Sequence, residues 1–278
     1  MCRTLLTGLL LSLVAGTAPA QQDCARGEVA CRVADGSYHV RLPDSAAAQP
    51  PAVMFLHGYG ADALAMIRNP RVTDALLARG FAVIAPNGRG RDGADGGGWS
   101  FMPGRPQRRD EAAFLQSVRD DAVARFGLDS ARIFLGGYSI GGSMTSYIAC
   151  AAPDSFAAYV PVAGSFWRPH PDRCAGPVRL LHTHGWTDGT VPLEGRPLRG
   201  GQIMQGDVFA AFQVWRAANG CDGLRATRFD TSGPFWRRAW TDCAPGSALE
   251  LALHPGGHLV PDGWADMAAD WLATLPPR

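Results

Sequence analysis

Short apolar runs separated by longer mixed stretches are the dominant pattern along this chain. The runs AVMFLHG (52–58), FAVIAP (81–86), RIFLGG (132–137), YVPVAG (159–164), VRLLHTHG (178–185) and LELALHPGG (249–257) predict strands. Most are apolar without alternation, as expected of strands in a parallel sheet with helices on both faces. Between them, apolar positions recur at helical spacing. Phe114, Val118, Ala122 and Phe126 predict a helix within 109–126. Val208, Phe212 and Trp215 mark another, and Trp264, Met267, Ala268, Trp271 and Leu272 mark a last one. This alternation predicts an α/β fold with a mostly parallel, doubly wound sheet. No internal repeat or interdomain linker interrupts it.

The pattern differs at the start. Residues 1–20 have a basic residue at Arg3, an apolar run from Leu5 to Ala15 and the closing triplet Ala18-Pro19-Ala20. The run is too short to span a bilayer, so it reads as a secretory signal peptide cleaved after Ala20. The expected mature chain, 21–278, is a single exported domain, secreted or periplasmic. No later segment is long and apolar enough to cross a membrane.

Charge then narrows the partners. The net charge of +1 includes Arg3, so the mature chain is balanced. That argues against nucleic acid or an anionic membrane as partner, and no obligate protein partner is evident. No Lys occurs anywhere, which excludes Schiff-base chemistry and a lysine-dependent phosphate loop. Six cysteines remain after the leader: Cys24, Cys31, Cys150, Cys174, Cys221 and Cys243. In an exported chain an even number implies disulfides. Pairing between sequence neighbours is favoured because each pair closes a loop able to sit at the sheet rim. No C-x-x-C spacing supports a metal site. The glycine-rich stretch 87–106 contains Asp92 and Asp95 but lacks the acidic spacing of a calcium loop, so it reads as a mobile loop at a strand end.

The segment GGYSIGGSM (136–144) raises the chemical question. Gly137-Tyr138-Ser139-Ile140-Gly141 fits G-x-S-x-G between a predicted strand and a stretch able to start a helix. In that setting a serine on a strained turn is raised as a nucleophile, and the flanking glycines make room for it. A serine hydroxyl needs a base, and the base an orienting carboxylate. In chain order Ser, acid, His, Asp188 follows the strand ending near Gly185, and His258 follows the last predicted strand. Both positions lie where an open α/β sheet places its site. His254 is expected to pack or accept a local hydrogen bond, and Asp207 to start a helix. His182 and His184, two apart in a strand, are expected on opposite faces, unable to grip a metal jointly. For an oxyanion, the backbone N–H of Ile140 and that of Tyr59 in FLHGYG (55–60) are the candidate donors.

Taken in order, FLHGYG, APNGRG…GGGW, DEAAFL, GYSIGGSM, HTHGWTDGTVP and HPGGHLVP resemble the exported α/β-hydrolase esterases grouped with polyhydroxybutyrate depolymerases and feruloyl or acetylxylan esterases. The similarity runs over about 37–278. It implies an α/β-hydrolase fold and ester hydrolysis through an acyl-enzyme without cofactor, with Ser139, Asp188 and His258 in the triad roles. It also likens Cys221 and Cys243 to a pair that staples the family ahead of its histidine. Nothing beyond the final helix would form an added polymer-binding domain, so soluble or amorphous esters are the expected substrates, whether feruloyl or acetyl-sugar esters or short hydroxyalkanoate oligomers. Trp99, Trp186, Tyr138 and Phe166, with Trp167 nearby, are candidates for the substrate wall. The alternatives are a serine peptidase on the same triad, for which the chain leaves no room for a screening domain, and a non-catalytic carbohydrate-binding protein on a hydrolase scaffold.

Overall fold

The six expected strands lie side by side at the centre of one large sheet. The structure, a computed structural model, describes residues 24, 27–44 and 48–276; the expected leader lies outside them. In chain order the strands are β1 (Cys31–Val33), β2 (Gly36–Arg41), β3 (Ala52–Leu56), β4 (Ala82–Pro86), β5 (Ile133–Tyr138), β6 (Tyr159–Val162), β7 (Arg179–Gly185), β8 (Pro197–Leu198), β9 (Ile203–Met204), β10 (Arg228–Ser232), β11 (Phe235–Trp240) and β12 (Ala248–His254). The helices are α1 (Ala63–Ile67), α2 (Ala75–Ala78), α3 (Glu111–Phe126), α4 (Ile140–Ala151), α5 (Val208–Ala218) and α6 (Trp264–Ala273). The sheet order is β1-β2-β4-β3-β5-β6-β7-β12-β11-β10, and β8 pairs with β9 alone. The run from β4 to β12 is parallel, with an antiparallel pair at each edge.

Side-chain alternation divides the core into two layers. From β3, Ala52, Met54 and Leu56 enter one cluster, with Trp215 of α5 and Phe114 of α3. Val53 and Phe55 enter the other, with Trp264, Met267 and Trp271 of α6. Burial on both faces is why these strands read as continuous apolar runs. Asp110 and Asp207 cap α3 and α5, accepting from the N–H groups of Ala113 and Ala210. Among the described residues, three disulfides join Cys24 to Cys31, Cys150 to Cys174 and Cys221 to Cys243, the neighbour pairing expected. They suit an oxidising compartment. No helix among the described residues is long and apolar enough to cross a membrane.

At the head of α3, the segment DEAAFL and the arginine before it hold a buried ion pair. Arg109 meets Glu111 at 2.6 Å with both side chains almost fully buried. Burial pulls the guanidinium pKa down and the carboxyl pKa up, each opposed by the partner's charge. Arg109 also donates to the carbonyls of Asp35 and Asn87, and Glu111 accepts from the Ser100 N–H, so the pair fixes both ends of the glycine-rich loop. Glu111→Gln strands a buried cation and is expected to destabilise the fold by about 3–5 kcal/mol. Urea unfolding measures this; a loss below about 1 kcal/mol would show that the pair is not holding the loop.

Candidate active site

Ser139 occupies the single residue between β5 and α4, with φ 59° and ψ −122°. Positive φ is costly for a residue with a Cβ and persists only where the surroundings impose it. Here they do: the Ser139 N–H donates to Val162 O and its carbonyl accepts from Ser143 N–H, both at 2.9 Å. A Cβ on Gly141 would lie 2.3 Å from Leu56 O, and one on Gly137 would lie 2.5 Å from the Gly141 backbone. The two motif glycines therefore let helix, turn and neighbouring strand pack at backbone contact.

Three loops then converge. His258 Nε2 lies 3.0 Å from Ser139 Oγ, and His258 Nδ1 lies 2.7 Å from Asp188 Oδ2. The Asp188 side chain is fully buried, and its Oδ1 accepts from Thr190 and Val191 N–H at 2.9 and 2.8 Å. Burial acts to raise the Asp188 pKa. The His258 hydrogen bond, the Val191 N–H and the nearby imidazoles outweigh it and hold the carboxyl below its ordinary range. The Asp188 and His258 loops meet closely, since a Cβ on Gly185 would lie 2.2 Å from Gly257 O. The Tyr138 hydroxyl donates to His258 O at 2.7 Å and its ring lies beside the imidazole, so this candidate for the substrate wall supports the His258 loop.

Behind Asp188 stand His182 and His184, and here the sequence expectation was wrong. They share a face, because alternation has period two and residues i and i+2 point the same way. His184 Nε2 donates to Val191 O at 2.8 Å, which leaves Nδ1 as the acceptor for His182 Nε2 at 3.0 Å. Burial lowers both pKa values, that of His182 strongly, so the pair is neutral near pH 7. His184 Nε2 also lies 3.5 Å from Asp188 Oδ2. His254 accepts locally from Gly256 N–H through Nδ1, as expected.

Tyr59 and Ile140 both line a cavity of about 500 Å³ beside Ser139. Ile140 opens α4, where a helix leaves N–H groups without intrahelical partners. The Tyr59 loop is held from beneath by His57, whose Nδ1 donates to Gly58 O while Nε2 accepts from Gly88 N–H, both at 2.9 Å. Burial lowers the His57 pKa, in keeping with this neutral form. Sequence reasoning passed over His57, although its place inside FLHGYG was the available signal.

The aromatic candidates separate. Trp99 borders the cavity but is only 3% exposed, its Nε1 donating to His57 O at 3.0 Å. Phe166 is a correction: it is 1% exposed and packs on Trp215, inside the core. Trp167 is likewise buried, its Nε1 donating to Ser143 Oγ. Trp186 is 56% exposed, edge to face with the exposed Trp236 and outside the cavity lining.

Comparison with known proteins agrees with this architecture. The family described as the prolyl oligopeptidase family (Peptidase_S9) matches residues 71–167, which contain Ser139 but neither Asp188 nor His258. NocK of Nocardia uniformis subsp. tsuyamanensis, which carries the name of an esterase, is 27% identical over 250 residues, 82% of this chain and 71% of its own. Feruloyl esterase B of Piromyces equi is 27% identical over 185 residues, 63% of this chain but only 33% of its own. Among solved structures, an acetyl xylan esterase from Aspergillus awamori superposes with a TM-score of 0.60 at 17% identity, over 85% of this chain and 93% of its own. The fold is that of the α/β-hydrolases, and the chain resembles the esterases built on it.

Proposed function

We propose that this esterase of the α/β-hydrolase type works through an acyl-enzyme formed on Ser139. The observation that carries the reading is the unbroken contact from Ser139 Oγ through His258 to Asp188. Ser139 Oγ attacks the ester carbonyl as His258 Nε2 takes its proton. The tetrahedral oxyanion rests on the N–H groups of Tyr59 and Ile140. The alcohol departs with the proton from His258, leaving Ser139 acylated. Water, deprotonated by the same nitrogen, then attacks the acyl carbon and releases the acid. Asp188 holds the imidazole with Nδ1 protonated and Nε2 free to accept. No cofactor enters these steps.

The proposed substrates are feruloyl or acetyl-sugar esters or short hydroxyalkanoate oligomers, met outside the cytoplasm. The resemblance to esterases of these kinds and the three disulfides support this. The exposed Trp186 and Trp236, set edge to face, offer apolar surface for a phenolic or sugar ring. A peptidase reading draws on the prolyl oligopeptidase match, and one experiment addresses both. A fluorophosphonate is expected to label Ser139 stoichiometrically, and p-nitrophenyl acetate to turn over while p-nitroacetanilide does not. Preferred cleavage of the anilide would favour the peptidase; absence of labelling would remove the nucleophile.

A further inference from the structure

The cavity beside Ser139 has a charge that the proposed reaction leaves unexplained. Arg91, Arg105, Arg108 and Arg199 all line it, and no Asp or Glu does. Elsewhere the chain pairs its arginines freely, as in Arg41–Asp74, Arg79–Asp266 and Arg237–Glu250. Among the described residues none of the four cavity arginines has a carboxylate within ion-pair distance, although Arg108 Nε donates to Arg89 O. Nearby acids are engaged locally: Asp62 caps α1, Asp92 accepts from Ala94 N–H and Asp95 accepts from Ser37 Oγ.

Four like charges around one concave wall repel one another, and a cleft focuses their field on whatever enters. The net charge of the whole chain is only +1, so this is a local concentration. Backbone conformation adds to it at Arg199, held at φ 51° beside Gly200 and Gly201 in the turn joining β8 to β9. A side chain kept in the left-handed region is a marker of imposed positioning. Apolar contact is available as well, from Trp99, Phe101 and Ile203. The cavity is lined by Tyr59 and Ile140, the candidate oxyanion donors, so it adjoins the place of the reacting carbonyl.

We propose that this cavity is a subsite for a carboxylate carried by the ester substrate. The inference rests on the esterase reading and names a class within it: esters that are also acids. Guanidinium forks match a carboxylate in plane and bidentately, which a neutral ester cannot reproduce. Two sources supply such a group, the free carboxyl end of a hydroxyacid oligomer and the uronate of an acylated sugar.

The test compares kcat/KM for matched pairs: a 3-hydroxybutyrate trimer as free acid and as methyl ester, and an acetylated glucuronate with its methyl ester. The free acid is expected to be favoured by about 10-fold or more at low salt in at least one pair, the pair identifying the source. The preference should shrink as salt rises. The double variant Arg105→Gln, Arg199→Gln should bring the ratio toward one; as a ratio, it is insensitive to the fraction of enzyme folded. Equal kcat/KM for acid and methyl ester in both pairs would overturn the subsite while leaving ester hydrolysis standing. Turnover of p-nitrophenyl acetate with neither form of either pair hydrolysed would likewise overturn the subsite, whereas no turnover of p-nitrophenyl acetate either would remove the esterase reading beneath it.

Discussion

Replacing Ser139 by alanine is expected to lower kcat by about 10³-fold or more while leaving the fold intact. The two halves of that expectation have separate causes. Among the described residues Ser139 Oγ has its hydrogen bond with His258 alone, and the serine is buried with 8% exposure. Removing one oxygen creates no large void and leaves φ at 59° for a residue that still has a Cβ. Stability should therefore change by no more than about 1 kcal/mol. Chemistry loses the atom that accepts the acyl group, and only substrate binding and the oxyanion donors remain. Initial rates on p-nitrophenyl acetate, with a thermal unfolding curve on the same preparation, measure both. Near-wild-type turnover by the alanine variant would end the acyl-enzyme proposal.

The central strands were legible because burial on both faces leaves an apolar run with few alternatives. The edges were not. β10 is RFDTS, almost wholly exposed, and β2 is GSYHVR, whose buried Ser37 and His39 break the apolar signal. The pairing of β2 with β4 depends on residues far away in sequence, as in His39 beside Ala85. α1 and α2 are five and four residues long, too short to display a period. At the site, Ser139 stood out because local packing and chemistry demand the same glycines. Asp188 and His258 could be placed because both follow sheet strands.

What the sequence hid was assembled by folding. The aromatic residues gave no sign of which would be buried: Phe166 lies under α5 and Trp186 points outward, with nothing local to separate them. The four cavity arginines are spread from position 91 to position 199, and only the packing of the glycine-rich loop against the β8–β9 turn gathers them. The Arg109–Glu111 pair looked like an ordinary helix start until the loop closed over it.

Asp188→Asn is expected to be the most damaging isosteric change in the protein, lowering kcat by about 10⁴-fold. The reason lies in which oxygen is already committed. Oδ1 accepts two backbone N–H groups, from Thr190 and Val191, so an asparagine must place its carbonyl there. Its NH₂ then takes the position of Oδ2, facing His258 Nδ1 and lying near His184 Nε2–H. Flipping the amide would set a donor against two donors. His184 cannot relieve the conflict by changing tautomer, because its Nε2–H is fixed by Val191 O and its Nδ1 by His182. His258 must therefore accept at Nδ1 and carry its proton on Nε2, pointed at Ser139, where it can no longer take one. Acid should mimic the mutation only at the extreme. The Asp188 pKa is depressed in the folded state, so its contribution to stability is complete above the unfolded carboxylate pKa of about 4 and fades as pH falls through the lower folded value. Steady-state kinetics of the asparagine variant near pH 7, with circular dichroism to verify folding, would decide the matter. Retention of more than about a tenth of wild-type kcat would mean that Asp188 does not set the His258 tautomer.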